Sequence, residues 1–157
     1  MTALEPGMPA PDFTLLNQRG ESVSLSDFAG KKLVLWFYPE ALTPACQGQA
    51  CDFRDHHASL RESGFEVVGV SRDSVEKLAK AAAEDGIAYD LVSDADKKVH
   101  EAYGVWGEKS MYGRTVIGVK RSTFVIDEHG KVEHVFYNTR AKNHLAMLDK
   151  RLSFTAG

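Results

Sequence analysis

The sequence predicts an α/β protein with a central mixed sheet that carries helices on both faces. Residues 33–37 form a continuous apolar run, which is the pattern of a strand buried on both sides, and the largely apolar run 65–70 predicts a second buried strand. Between these runs, apolar residues recur at steps of four and three, as on one face of a helix. A strand, a helix and a second strand in this order indicate a parallel βαβ unit. The predicted helical face comprises Cys46, Ala50, Phe53, His57 and Leu60.

The residues before this unit predict an N-terminal β-hairpin. Two strand-like stretches, 12–16 and 21–25, flank the turn-forming run Asn17-Gln18-Arg19-Gly20. Residues 26–30 follow as one helical turn that ends at a glycine. We therefore expect two short antiparallel strands ahead of the first buried strand.

After the second buried strand, helices and strands continue to alternate. Asp73 is a suitable N-cap for a helix over residues 74–85, and Gly86 is suited to end it. Residues 90–92 predict a short strand, and 94–103 predict a further helix. This alternation is typical of a sheet with a parallel core.

The last part of the chain predicts antiparallel strands and a closing helix. Residues 115–119 and 122–126 are strand-like, and 132–137 returns after a turn at 128–130 as the second arm of a hairpin. Antiparallel strands beside a parallel core make the sheet mixed. The closing amphipathic helix is marked by Leu145, Leu148 and Leu152.

Composition restricts the class of protein. The chain has 157 residues, with 19 Lys+Arg against 22 Asp+Glu and a net charge of −3, so it lacks the basic excess of a nucleic-acid binder. Its longest strongly apolar run, 33–38, is far shorter than the ~20 residues that cross a bilayer. No leader-peptide pattern is visible at the N-terminus. We therefore expect one domain over residues 1–157 that is cytoplasmic and binds neither nucleic acid nor a membrane.

The first cysteine falls at the predicted start of a helix. Thr43 is a favoured N-cap residue, Pro44 then occupies the first helical position, and Cys46 the third. The free N–H groups and the positive end of the helix dipole favour a thiolate over a thiol at this position. A thiolate is the nucleophilic form of cysteine. The pattern therefore predicts a reactive cysteine.

A buried structural role is the alternative interpretation of Cys46, since it lies on the apolar face of the helix and free cysteines are often core residues. However, it follows the carboxyl end of a central strand, which is where open α/β sheets bind ligands. This placement favours the reactive interpretation.

The second cysteine is too far along the same helix to pair with the first. Five residues on an ideal helix separate the Cα atoms of Cys46 and Cys51 by roughly 8.7 Å. A disulfide needs a Cα separation of about 4.4–6.8 Å. Either the two cysteines never pair, or pairing requires the first helical turns to unwind. An incidental helix residue is the plainer alternative for Cys51.

The six histidines do not predict a metal centre, because no spacing matches a zinc site. His57 is expected to be a half-buried core residue on the helical stripe. Four others are expected at the surface or in turns: His100, His129, His134 and His144.

Several motifs together resemble the peroxiredoxin family. Pro39, Thr43 and Cys46 match the peroxiredoxin active-site pattern Pro-x-x-x-Thr/Ser-x-x-Cys, and Cys51 follows as in the Q-type branch, also called bacterioferritin comigratory proteins. The resemblance extends from about Pro6 to the final helix. Other stretches that fit it are 10–13, 23–25, 36–39, 104–109, 111–113 and 121–127.

The resemblance implies a thioredoxin-like fold and an atypical two-cysteine thiol peroxidase without metal, haem or flavin. Cys46 would be the peroxidatic cysteine, and Cys51 would resolve its sulfenic acid in an intramolecular disulfide. Thr43 would hydrogen-bond the peroxide and the thiolate, and Pro39 would shield the sulfur from water. Arg121 would stabilise the thiolate and orient the peroxide. The expected substrates are hydrogen peroxide and organic hydroperoxides, the expected reductant is thioredoxin or a similar dithiol, and the expected state is a monomer.

Two stretches depart from the usual pattern of the branch. Ala41-Leu42 stands where acidic residues are common, and Gln47-Gly48-Gln49-Ala50 replaces the common Thr-Thr-Glu-Ala. Gln49 therefore removes an anion that could pair with an arginine. Gly48 weakens the helix by up to ~1 kcal/mol relative to alanine, which makes unwinding between the cysteines easier.

Two other function classes use the same fold. A general disulfide oxidoreductase would normally carry Cys-x-x-Cys, which this sequence lacks. A peroxide-sensing redox switch would use the same disulfide to change a partner interface. Turnover of peroxide with an added reductant separates the peroxidase from the sensor.

Overall fold

Strands and helices alternate through most of the protein, as the apolar pattern predicts. The computed structural model describes residues 4–111 and 113–137. The strands are β1 (Thr14–Asn17), β2 (Ser22–Ser24), β3 (Lys32–Phe37), β4 (Phe65–Ser71), β5 (Asp90–Ser93), β6 (Trp106–Met111), β7 (Arg114–Val119), β8 (Ser122–Ile126) and β9 (Val132–Phe136). The helices are α1 (Pro44–Asp55), α2 (His57–Glu62), α3 (Val75–Asp85) and α4 (Lys98–Ala102), with a 3₁₀ turn at Leu25–Phe28.

Seven of the described strands form one mixed sheet in the order β2-β1-β5-β4-β3-β8-β9. β3, β4 and β5 are parallel neighbours, whereas β8 and β9 add antiparallel strands beside β3. β1 and β2 form the predicted N-terminal hairpin, which joins the sheet through β5. β6 and β7 pair with each other in a separate hairpin. The predicted α/β fold with a mixed sheet is confirmed.

The central strand β3 is buried on both faces because its side chains alternate between two cores. Leu33, Leu35 and Phe37 lie in one core, and Val34 and Trp36 lie in the other, each at most 1% exposed. The Trp36 side of the sheet packs against α1, α2 and α3, and the Phe37 side packs against α4. The continuous apolar run therefore reflects burial on both sides, as in parallel sheets.

The helix that follows β3 is interrupted, unlike the single helix that the spacing predicts. His56 leaves helical geometry (φ −110°, ψ 9°) and separates α1 from α2. Its imidazole Nδ1 lies 2.9 Å from the carbonyl oxygen of Asp52, which is also the acceptor for the His56 N–H. Gly64 (φ 89°) lies just beyond α2, near the predicted end of the helical segment.

The predicted cap of α3 is wrong by one residue. Ser74, not Asp73, is the N-cap, and its hydroxyl accepts a hydrogen bond from the N–H of Lys77 at 3.2 Å. The Asp73 carboxylate instead accepts hydrogen bonds from the N–H of Ala41 and the hydroxyl of Ser71. Asp73 thus ties the end of β4 to the loop before α1.

The helix predicted over residues 94–103 is shorter in the structure and comprises only α4. The side chain of Asp94 accepts the backbone hydrogen bonds that a first helical turn would otherwise form. The Asp94 carboxylate accepts hydrogen bonds from the N–H groups of Val99 and His100 and lies 2.6 Å from His100 Nδ1. Both Asp94 and His100 are fully buried, so the expectation of a surface histidine is wrong. The predicted closing helix and His144 lie outside the described residues.

The Asp94–His100 pair predicts acid sensitivity of the fold. Burial alone would raise the pKa of Asp94, but hydrogen bonds from the His100 side chain and backbone outweigh it and lower that pKa. A carboxyl group with a lowered pKa stabilises the folded state above its unfolded pKa of ~3.9, and this contribution is lost as the pH falls through the folded value. Asp94→Asn should therefore lower the free energy of unfolding at neutral pH by ~1–3 kcal/mol. The deficit should shrink as the solution is acidified below about pH 4.

Urea unfolding at a series of pH values checks this expectation. Asp127→Asn is the matched control, because Asp127 also accepts backbone hydrogen bonds but lies in the turn before β9 with its carboxylate near solvent. The control should lose less stability than Asp94→Asn. Equal unfolding free energies for Asp94→Asn and the unmodified protein at neutral pH would contradict the assignment.

Candidate active site

Cys46 lies in the first turn of α1, at the carboxyl end of the central strand β3. Thr43 is the N-cap with extended geometry (φ −84°, ψ 149°), and Pro44 is the first helical residue. The first helical hydrogen bond runs from the N–H of Gln47 to the carbonyl of Thr43, at 2.8 Å. The N–H groups of Ala45 and Cys46 therefore precede the helical hydrogen-bond ladder. The predicted helix start is confirmed residue by residue.

Arg121 lies against the sulfur of Cys46. Its Nη2 donates a hydrogen bond to Cys46 Sγ at 3.2 Å, and its Nη1 donates to Gln49 Oε1 at 2.6 Å. Cys46 is 3% exposed, so the contact lies in a largely water-excluded site. The positive charge of the guanidinium therefore lies directly beside the sulfur with little water to screen it.

The strand register explains how residues 75 positions apart in the chain meet. β8 runs antiparallel to β3, and Ser122 at its start pairs with Phe37 at the end of β3. Arg121 directly precedes β8, so it lies at the same edge of the sheet as the loop that leads into α1. The sheet therefore fixes the guanidinium beside the helix start.

Gln49 accepts a hydrogen bond from the second terminal nitrogen of the Arg121 guanidinium. It lies one turn after Cys46 on the same helix and is 1% exposed. An amide oxygen accepts the guanidinium hydrogen bond without adding a negative charge, so this contact does not weaken the attraction of Arg121 for the sulfur. At the level of sequence, Gln49 is recognisable only as a departure from the usual pattern of the branch. Its i+3 spacing from Cys46 is the signal that would have placed it on the same face.

The Thr43 side chain does not cap α1. Its hydroxyl donates a hydrogen bond to the carbonyl of Glu40 at 2.8 Å. The hydroxyl proton is thereby engaged, and the lone pairs of Thr43 Oγ1 can accept a proton donor.

The loop over residues 38–43 is held in an unusual conformation. Leu42 has φ +67°, the left-handed region that leucine seldom adopts, and its side chain packs against the core beneath α1. The loop is tied to the β4–α3 corner by Asp73, which accepts from Ala41 N–H at 2.7 Å, and by a Lys77–Glu40 ion pair at 2.6 Å. Pro39 is partly buried within this loop. These contacts offset the backbone strain at the helix start.

Cys51 lies on the same unbroken helix and is not bonded to Cys46. Both cysteines are free thiols, with Cys46 buried and Cys51 partly exposed. Burial raises the pKa of the Cys51 thiol, while Arg54 acts in the opposite direction. Because α1 is continuous from Pro44 to Asp55, the helical separation of roughly 8.7 Å applies and a disulfide cannot form in this conformation.

Comparison with known proteins assigns the family. Residues 6–135 match the model of the AhpC/TSA family. The chain belongs to this family. A putative peroxiredoxin of Mycobacterium tuberculosis (strain H37Rv) is 49% identical over 152 residues, covering 97% of both chains. Peroxiredoxin Bcp of Escherichia coli (strain K12) is 45% identical over 144 residues, covering 92% of both.

Solved structures agree with this family assignment. The bacterioferritin comigratory protein of Xanthomonas campestris, studied for alkyl peroxide reduction, is 32% identical, with a TM-score of 0.87 and coverage of 95% of this chain and 98% of that one. Peroxidoxin BcpB of M. tuberculosis is 36% identical, with a TM-score of 0.83 and coverage of 96% and 97%. The predicted resemblance to Q-type peroxiredoxins, the thioredoxin-like fold and the class of thiol-dependent peroxidases are confirmed.

Within this peroxiredoxin site, the structure brings together most of the residues that the sequence singles out. Arg121 contacts Cys46 directly, and Thr43 and Pro39 lie in the loop that leads to it. Cys51 is held apart by the intact helix. A cavity of about 10 Å³, room for about one water molecule, adjoins Cys46 on its apolar side. Its apolar lining includes Tyr38, Ala41, Leu42, Ala50, Ile87 and Leu91.

The remaining histidines take no part in this site. His57 is partly buried against the Tyr89 ring, as expected, and burial lowers its pKa. His129 is exposed in a turn, and His134 is partly buried in β9.

In the part of the chain that the structure describes, no group of three or more His, Cys, Asp or Glu side chains is placed to hold a metal ion. None of the helices in that part is long and apolar enough to cross a membrane.

Proposed function

We propose that this peroxiredoxin reduces hydrogen peroxide and organic hydroperoxides in a cycle that uses Cys46 and Cys51. The observation that carries the proposal is the 3.2 Å contact of Arg121 Nη2 with Cys46 Sγ at the start of α1. The guanidinium, the helix dipole and the free N–H groups all favour the thiolate, which is the reactive form.

In the first step, the Cys46 thiolate attacks one peroxide oxygen. An S–O bond forms, the O–O bond breaks, and the departing oxygen takes a proton and leaves as water or an alcohol. The cysteine is oxidised to sulfenic acid and the peroxide is reduced. Arg121 stabilises the charge that develops on the departing oxygen, because it is placed there in advance. Thr43 accepts a hydrogen bond from the peroxide, and Pro39 limits the access of water to the sulfur.

In the second step, the Cys51 thiol attacks the sulfenic sulfur. An S–S bond forms and water leaves. The helix must unwind first, because the two cysteines are too far apart on α1. Gly48, midway between them, lowers the free-energy cost of leaving helical geometry.

In the third step, a dithiol reductant returns both cysteines to thiols by exchange with the disulfide. We assign this role to thioredoxin or a protein of the same chemistry, acting on a monomer. A cycle that depends on a thiol reductant fits the reducing cytoplasm.

A Cys51→Ser variant tests the cycle. It should form Cys46 sulfenic acid with one equivalent of peroxide as fast as the unmodified protein, and then stall when thioredoxin is the reductant. Overoxidation to sulfinic acid should increase, because the sulfenic acid has lost its local thiol. Rapid-quench alkylation followed by mass spectrometry measures the first turnover, and NADPH consumption with thioredoxin and its reductase measures steady-state turnover. Undiminished steady-state turnover would remove Cys51 from the resolving role.

A further inference from the structure

A buried hydroxyl outside the site described so far is bonded to the helix that carries both cysteines. Tyr89 Oη donates a hydrogen bond to the carbonyl of Ala50 at 3.0 Å, and Tyr89 is 3% exposed. Ala50 lies in α1, directly before Cys51. The carbonyl is also the acceptor for Arg54 N–H in the helical pattern, so the tyrosine adds a second bond to a group that the helix already satisfies. None of the three proposed steps uses Tyr89.

The backbone of Tyr89 is fixed by the N-terminal hairpin. Gln18 Nε2 donates to the Tyr89 carbonyl at 2.9 Å, and the N–H of Leu91 donates to Gln18 Oε1 at 2.8 Å. Gln18 is itself buried, and Tyr89 leads directly into β5. Burial raises the pKa of Tyr89 far above its usual value, so its hydroxyl remains a hydrogen-bond donor. Tyr89 is therefore a rigid donor on the sheet, facing a helix that must move.

We propose that Tyr89 is a positioning residue that latches α1 in its helical form and thereby sets the rate at which Cys51 reaches the oxidised Cys46. The inference rests on the two-cysteine cycle proposed above. Bringing Cys51 to the sulfenic sulfur withdraws Ala50 from its helical position, so the bond to Tyr89 breaks before the S–S bond forms and water leaves. A buried hydrogen bond that exists only in the closed form slows opening.

The latch also sets how often the enzyme is inactivated. While α1 stays closed, the sulfenic acid remains beside Arg121, where a second peroxide can oxidise it to sulfinic acid and leave as water or an alcohol. A slower opening therefore favours sulfinic acid over the disulfide at high peroxide concentrations.

Tyr89→Phe is the variant that tests the latch, because it removes only the hydroxyl. It should convert sulfenic acid to the intramolecular disulfide about fivefold faster, the factor expected for the loss of one neutral buried hydrogen bond. The fraction of protein overoxidised per turnover should fall by the same factor, while the rate of sulfenic acid formation stays unchanged. A single turnover with one equivalent of peroxide, quenched by alkylation and read by mass spectrometry, measures the rates of sulfenic acid and disulfide formation. The same readout after turnover at excess peroxide measures the overoxidised fraction.

Three further variants serve as controls for this result. Tyr103→Phe is the matched control, because Tyr103 is fully buried and donates to the Pro11 carbonyl at 2.7 Å on the other side of the sheet. It should leave disulfide formation unchanged. Gly48→Ala should slow it by up to about fivefold, because alanine favours the helix. Gly48 is exposed, and an added Cβ meets no atom within 4 Å. The double variant Gly48→Ala/Tyr89→Phe should return to near the unmodified rate.

The outcomes separate failure of the latch from failure of the cycle. If the disulfide forms in the unmodified protein and Tyr89→Phe leaves its rate unchanged or lowers it, the latch is overturned and the cycle stands. An acceleration by Tyr103→Phe equal to that by Tyr89→Phe would also overturn it, since general loosening of the core would then account for the effect. If no Cys46–Cys51 disulfide forms in the unmodified protein, the cycle itself fails.

Discussion

A Cys46→Ser variant should reduce peroxide no faster than the uncatalysed background. The serine hydroxyl keeps its proton near neutral pH, whereas catalysis needs an anion that can attack the O–O bond and be oxidised. The substitution changes one atom, from sulfur to oxygen, in a side chain that is 3% exposed. Because the change in volume is small, the fold should be retained. Arg121 and the start of α1 would then face a group that they cannot convert into the nucleophile.

The assay compares two single variants under identical conditions. Peroxide consumption is followed over the first turnover in Cys46→Ser and in Cys51→Ser, and urea unfolding of each confirms that both are folded. The expected result is a full first turnover in Cys51→Ser and none in Cys46→Ser. First-turnover consumption by Cys46→Ser in the absence of such consumption by Cys51→Ser would exchange the assigned roles.

The helix start could be predicted from the sequence because its signals are local. Pro44 favours the first helical position, because its φ is preset and its missing N–H needs no partner there, and Cys46 then falls at a fixed place in the first turn. The buried strands were equally predictable, since burial on both faces leaves an apolar run in β3. In each case a few neighbouring residues determine the outcome.

The contacts of Arg121 could not be derived from local pattern. They depend on the register of β8 against β3, which pairs residues 85 positions apart, Phe37 and Ser122. At the level of sequence, Arg121 could be predicted as a site residue only from the resemblance to the peroxiredoxin family. The i+3 spacing could place Gln49 on the same face as Cys46, but its contact with Arg121 and the contact of Tyr89 with α1 depend on tertiary packing.

The misplaced elements share one physical cause, the competition of side chains for backbone hydrogen bonds. Asp94 takes the N–H groups that a longer helix before α4 would use, and its pairing with His100 places a histidine in the core. Asp73 bonds across to Ala41 and leaves the capping of α3 to Ser74. Propensity cannot anticipate such choices, because the partners are set by tertiary packing.

Arg121→Ala should slow the oxidation of Cys46 by peroxide by about 10²–10³-fold, the loss typical of removing one preorganised donor to a developing anion. Two effects contribute. The guanidinium, 3.2 Å from the sulfur, favours the thiolate before the reaction. The same charge stabilises the oxygen that leaves when the O–O bond breaks. The planar guanidinium presents several hydrogen-bond donors in a fixed arrangement, so it can act on both the sulfur and the departing oxygen. A lysine ammonium lacks this arrangement, and Arg121→Lys should therefore recover only part of the lost rate.

Two reagents separate the two effects of Arg121. Alkylation by iodoacetamide depends on the thiolate but has no peroxide oxygen to stabilise, whereas the reaction with hydrogen peroxide depends on both. In Arg121→Ala we expect alkylation to slow less than oxidation, and the ratio of the two factors measures the contribution to the transition state. Arg114→Ala, at an exposed position in the β6–β7 hairpin, is the charge-matched control and should change neither rate. Equal slowing of both reactions in Arg121→Ala would limit this residue to stabilising the thiolate, and unchanged rates would exclude it from the site chemistry.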